Sequence, residues 1–199
     1  APPKQAVHGR IDRREHAVAE RTLAKGLNGA GKHEEAGRLA IQALETLPDD
    51  PECLVIGGAY LRSQGQLDTA IEYLTRAVAQ MPDYVNAEQR LGAMLVDAGR
   101  LDEAGERFLA LTRLRPRDAA AWQMVGAILA EQGQYAASLE YYQRALSLDG
   151  DDANTHYNLG FALARLERRD EARNHLRRAV ALNPQDEAAR QLLAELELP

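Results

Sequence analysis

Residues 121–150 read AWQMVGAILAEQGQYAASLEYYQRALSLDG, and the rest of the chain can be read outward from them. Trp122, Val125 and Leu129 share one helical face, Gly133 interrupts it, and Tyr135, Ser138, Tyr142 and Ala145 mark a second stripe. Two repeats earlier the same grammar recurs. Leu54 and Leu61 stand at helical spacing, Ser63-Gln64-Gly65-Gln66 breaks the helix, and Leu67, Ala70, Ile71, Leu74 and Ala77 form the next apolar stripe. Gly at such a break can take the left-handed conformation that closes a helix end.

The interval is 34 residues throughout. Gly31, Gly65, Gly99 and Gly133 keep it, and so do Pro48, Pro82, Pro116 and Pro184, with Gly150 in the gap. Apolar columns follow the same step: Leu27, Leu61, Leu95, Leu129, Leu163, and Leu23, Gly57, Leu91, Val125, Leu159. Small residues fill Ala24, Gly58, Gly92, Gly126, Gly160, then Ala36, Ala70, Ala104, Ser138, Ala172, and, apart from Leu111, the column Ala43, Ala77, Leu111, Ala145, Ala179. A larger column reads Ala40, Leu74, Phe108, Tyr142, Leu176. Mid-helix Gly costs roughly 1 kcal/mol against Ala, so a column of it implies helices that approach closely. Asp50, Asp118, Asp152 and Asp186 occupy one restart position, where a carboxylate can cap free N–H groups. Such self-similarity marks a repeat array. The expected architecture is all-α: five helix-turn-helix units over about 17–50, 51–84, 85–118, 119–152 and 153–186. A capping helix over 187–198 lays Ala188, Leu192, Leu193 and Leu196 on the last unit. Residues 11–199 are expected to form one solenoid, and residues 1–10, with two prolines and a glycine, to be disordered. Glu167 stands where the other units have Gly, so the fifth hairpin turn is expected to be built differently. His33 and Ala40 fall in larger apolar columns, so the first unit is expected to pack more loosely.

Composition agrees with helices: Ala and Leu are abundant, and aromatic residues make up 5% of the 199 residues. A formal net charge of −6 is a poor match for a phosphate backbone, so nucleic acid is not an expected partner. Cys53 stands alone, so no intrachain disulfide forms, which favours the cytoplasm and leaves the periplasm open. No apolar run approaches the roughly 20 residues of a membrane span. The chain begins Ala1-Pro2-Pro3 without Met, as a processed form or a piece of a longer protein would.

The repeat resembles the tetratricopeptide repeat family. Trp122, Val125-Gly126, Leu129, Gly133, Tyr135, Ser138, Tyr142 and Ala145 form the most typical unit. His156, Leu159-Gly160, Leu163, Ala172, Leu176, Ala179 and Pro184 form the next. The resemblance implies a right-handed superhelical solenoid whose first helices line a concave face. It places Arg21 and Lys25 there from the first unit, and Val55, Ile56 and Arg62 from the second. Asn86, Gln89 and Arg90 come from the third, Gln123 and Met124 from the fourth, and Asn154, Tyr157, Asn158, Phe161 and Arg165 from the fifth. On that assignment Val55, Ile56, Met124, Tyr157 and Phe161 make an apolar, solvent-facing centre, ringed by cations and amides. Such a groove suits a protein or peptide segment with apolar anchors and acidic groups.

Catalytic chemistry is not expected. The five histidines show no pair at the three- or four-residue spacing that puts two ligands on one helical face, and Cys53 has no partner thiol, so no metal and no cofactor are expected. Asn28-Gly29-Ala30-Gly31-Lys32 lacks the spacing and the following Ser or Thr of a phosphate loop. His156 shares a column with Trp122, which points to packing. Three readings follow: a protein-interaction scaffold, the targeting domain of a larger enzyme such as a transferase, or a self-assembling structural protein that forms homo-oligomers through its end repeats.

Overall fold

The computed structural model describes residues 4–198, with side chains from Asp12 onward. It is all-α among these residues, and it divides into two compact units, Ala1–Arg100 and Leu101–Pro199. The first unit holds α1 (Lys4–Gly29), α2 (His33–Leu44), α3 (Pro51–Ser63), α4 (Leu67–Gln80) and α5 (Val85–Asp97). Each of these packs on the next, and α1 also touches α3. The second holds α6 (Leu101–Leu114), α7 (Ala119–Glu131), α8 (Tyr135–Leu148), α9 (Ala153–Arg165), α10 (Arg169–Leu182) and α11 (Glu187–Glu197). Successive helices pack here too, and α7 touches α9. Helix α1 reaches back to Lys4, into the stretch expected to be disordered; Gly9 is the one poor helix former between Lys4 and Arg10, and residues 1–3 lie outside the described residues.

The repeat columns do what their residue types predict. Ala36, Ala70, Ala104, Ser138 and Ala172 are fully buried, as are Leu74, Tyr142 and Leu176 in the larger column, with Phe108 buried beside them. A Cβ at Gly126 would stand 2.8 Å from the Tyr142 ring, so the glycine is the space into which that ring packs. Ala40 is also fully buried, because Gly37 beside it lets Tyr60 of α3 close onto α2. Leu23 departs from its column at 54% exposure, since α1 has no preceding described helix on that side.

Asp50, Asp118, Asp152 and Asp186 all cap as expected, accepting from Cys53, Ala120 and Ala121, Thr155, and Ala189 backbone N–H groups. The hairpin turns close by one bond pattern. Lys32, Gln66, Gln134 and Arg168 donate their N–H groups to the carbonyls of Leu27, Leu61, Leu129 and Leu163 at 2.8–3.0 Å. Gly31, Gly65, Gly99 and Gly133 carry φ of 71–79°. The fifth turn is not built differently: Glu167 adopts the same left-handed conformation, with φ 60°. The bond pattern overrides the residue's own preference. The cap keeps Leu192, Leu193 and Leu196 half-buried as expected and differs at one alanine. Ala189 is buried and Ala188 exposed, while Leu196 packs against the cluster of Leu163 and Ala172.

Candidate binding groove

In the first unit the first helices of three successive repeats share one concave face. A cavity of about 140 Å³ is lined by Lys25 and Asn28 of α1, by Glu52, Val55, Ile56 and Ala59 of α3, and by Asn86 and Arg90 of α5, with Tyr84 just before it. A second, of about 290 Å³, is lined by Ala59, Arg62, Asn86, Gln89, Arg90, Ala93 and Met94. They share Ala59, Asn86 and Arg90, which makes one groove. Lys25, Val55, Ile56, Arg62, Asn86, Gln89 and Arg90 are thus brought together.

The groove's chemistry differs from a solvent-facing apolar strip. Val55 is 4% and Ile56 8% exposed, because α1 packs against α3 along this face; they form a floor and not a patch. The cations are already engaged. Arg21 Nη1 meets Asp50 Oδ2 at 3.1 Å, Lys25 Nζ meets Glu52 Oε1 at 2.5 Å, and Arg62 pairs with Asp97. Arg90 Nε donates to the Asn86 amide oxygen at 2.6 Å. Gln89 is exposed. The Lys25 and Arg62 pairs are open to solvent and exchange readily, while the Asp50 carboxylate is largely buried against Arg21.

The second unit's set is partly dispersed. Gln123 and Asn154 line a separate cavity of about 270 Å³ with Asp149, Asp152 and Thr155. Met124, Tyr157, Asn158 and Phe161 are half-buried on α7 and α9. Phe161 lies edge-on to Tyr135 at 6.2 Å and tilted against Tyr157 at 6.5 Å. The Arg165 guanidinium sits 5.4 Å over the Tyr135 ring.

One constellation was missed by reading helical spacing alone. His156 of α9 and His175 of α10 face each other across a hairpin, with their Nδ1 atoms 3.0 Å apart. The signal was present in the repeat: Trp122 and Tyr141 occupy the same two columns one unit earlier, with ring centroids 6.1 Å apart. Among the described residues no three His, Cys, Asp or Glu side chains gather as a metal cage. Cys53 is fully buried, and burial first, then Asp50, pushes its thiol up to about 12, so it is held as an inert thiol. No described helix is long and apolar enough to cross a membrane.

Three profiles described as tetratricopeptide or TPR repeat match residues 61–128, 126–167 and 153–186. No curated protein matches at a significant level. Among solved structures, YrrB, described as a TPR protein with an unusual peptide-binding site, is 20% identical with a TM-score of 0.82, over 93% of this chain and 95% of its own. MamA of AMB-1 is 22% identical with a TM-score of 0.78, over 89% of this chain and 97% of its own. MamA 41-end from Desulfovibrio magneticus RS-1 is 24% identical with a TM-score of 0.75, over 86% of this chain and 97% of its own. At these identities the likeness is one of fold.

Proposed function

Because the chain belongs to the tetratricopeptide repeat family, we propose that it is a protein-interaction scaffold that holds an extended peptide segment in the groove of α1, α3 and α5. The observation that carries this reading is the convergence of three first helices on one trough with an apolar floor and amide walls. Val55, Ile56 and Ala59 offer the floor to an apolar side chain. Asn28, Asn86 and Gln89 offer donors and acceptors to the backbone of an extended chain, whose own N–H and C=O groups need partners once they leave water. Arg21, Lys25 and Arg62 each face a carboxylate of this chain, so the preference for an acidic group falls mainly on Arg90, which faces an amide. The peptide-binding site named for YrrB supports the same reading by likeness of fold. Met124, Tyr157, Asn158, Phe161 and Arg165 offer the second unit a contact face of its own.

A photo-crosslinking side chain at exposed Gln89 would capture the occupant, and mass spectrometry would identify the segment. Asn86→Ala and Arg90→Ala, which remove exposed groups bonded to each other, should lose that crosslink while melting as the wild type does. Capture undiminished in both variants would overturn the groove.

A further inference from the structure

In the fourth unit the columns at 122 and 141 pack as an aromatic pair, and the indole Nε1–H of Trp122 donates to the Pro116 carbonyl at 3.1 Å. One repeat later both columns hold histidine, and His156 Nε2 stands 3.1 Å from the corresponding carbonyl, that of Gly150. A carbonyl only accepts, so Nε2 of His156 carries the proton and its Nδ1 presents a bare lone pair. That lone pair faces His175 Nδ1 at 3.0 Å, and in the neutral pair the His175 Nδ1–H donates to it. Packing alone does not call for this exchange, since Trp and Tyr fill the same two columns next door.

We infer that His156 and His175 form a two-histidine site for a divalent transition-metal ion, held by both Nδ1 atoms. The remaining coordination positions would be taken by water or a partner's donor. The elements of such a site are in place. Two imidazoles converge from the adjacent helices of one hairpin. The Gly150 carbonyl orients the first from its far nitrogen, as a hydrogen-bond acceptor behind a metal-ligating histidine does. Glu171, one turn before His175 on α10 and paired with Arg168, has a small influence on that ring. Binding needs the His175 proton to move from Nδ1 to Nε2 through solvent and both rings to turn their Nδ1 lone pairs off the line between the nitrogens toward the ion; the neutral pair releases no proton. Nitrogen–metal distances of about 2.0–2.1 Å and the observed 3.0 Å between the nitrogens give an angle of about 94° at the metal. That matches adjacent positions of a square or octahedral ion such as Cu²⁺ or Ni²⁺; a tetrahedral site would hold the nitrogens roughly 3.4 Å apart.

The test is a titration of the untagged protein with Ni²⁺ by calorimetry, alongside H156W/H175Y, which installs the pair the fourth unit already packs, and H175Y alone. One ion should bind per chain and raise the melting temperature, and both variants should bind at least about tenfold more weakly. Paramagnetic broadening should reach the His156 ring signals first. Equal binding by H156W/H175Y would overturn the site, as would the absence of saturable binding in the wild type. If the double variant fails to fold, as circular dichroism would reveal, broadening that spares His156 in the wild type overturns it instead.

Discussion

At the scale of single residues, Glu167 and His175 each work against their own chemistry. The left-handed conformation costs a non-glycine residue roughly 1–2 kcal/mol, and Glu167 adopts it at φ 60° because the Arg168 N–H must still reach the Leu163 carbonyl. Glycine gives back about 0.4–1 kcal/mol through its greater freedom in the unfolded chain. Glu167→Gly should therefore stabilise the protein by about 0.5–1 kcal/mol, and Gly133→Glu should cost a comparable amount. Urea titrations of the two variants check both, and a Glu167→Gly variant no more stable than wild type would refute the strain. His175 is held below the ordinary imidazole value by burial and next by His156, while Glu171 pulls the other way. The unfolded chain, titrating near about 6.5, therefore takes up the proton first as pH falls. Stability is whole above that value and declines through the window down to the lowered folded value. Urea midpoints measured from about pH 7.5 to 5.5 should fall more steeply in wild type than in His175→Tyr; parallel losses would locate the titration elsewhere.

At the scale of helices, the same column can carry opposite instructions. Gly37 of α2 and Gly105 of α6 are two repeats apart in register. A Cβ at Gly37 would overlap Tyr60 Cβ and Cγ and stand 2.9 Å from its Cδ2, and a Cβ rooted in the backbone of α3 cannot swing aside. A Cβ at Gly105 would meet nothing nearer than Ile128 Cγ2 at 3.7 Å. Gly37→Ala should thus cost about 1–3 kcal/mol through overpacking. Gly105→Ala should gain up to about 1 kcal/mol in helix propensity. Chemical denaturation of the pair checks the contrast, and equal effects would mean that close approach is not what Gly37 provides. This level also marks where the sequence was readable. The columns were legible because each step of 34 returns a residue to the same neighbours, so Ala70, Leu74 and Asp118 announce their surroundings. Ion pairs such as Arg62 with Asp97, 35 residues apart, obey no column. A list of cations along first helices therefore looked like a charged rim, when most of its members were already matched. The burial of Val55 and Ile56 was hidden for a related reason: the face a helix shows depends on how tightly its neighbours close, which small residues on other helices decide.

At the scale of the whole molecule, the repeats give the chain a stability that is local. In a stacked array each unit contacts only its neighbours, so stability is close to a sum of unit terms and nearest-neighbour terms. The present chain adds a division into two compact units, with Gly37 in the first and Glu167 in the second. A perturbation in one hairpin should therefore be felt there and in the adjoining repeat, and fade beyond. Amide hydrogen exchange reads this directly, because local opening reports local stability. Gly37→Ala should speed exchange in α2 and α3 and leave α9 and α10 at wild-type rates. Glu167→Gly should slow exchange in α9 and α10 and leave α2 and α3 alone. If either substitution instead shifted protection equally in both units, the chain would be unfolding as one cooperative body, and nearest-neighbour reasoning from any single repeat, including the two columns that hold His156 and His175, would have to be replaced by reasoning about the entire array.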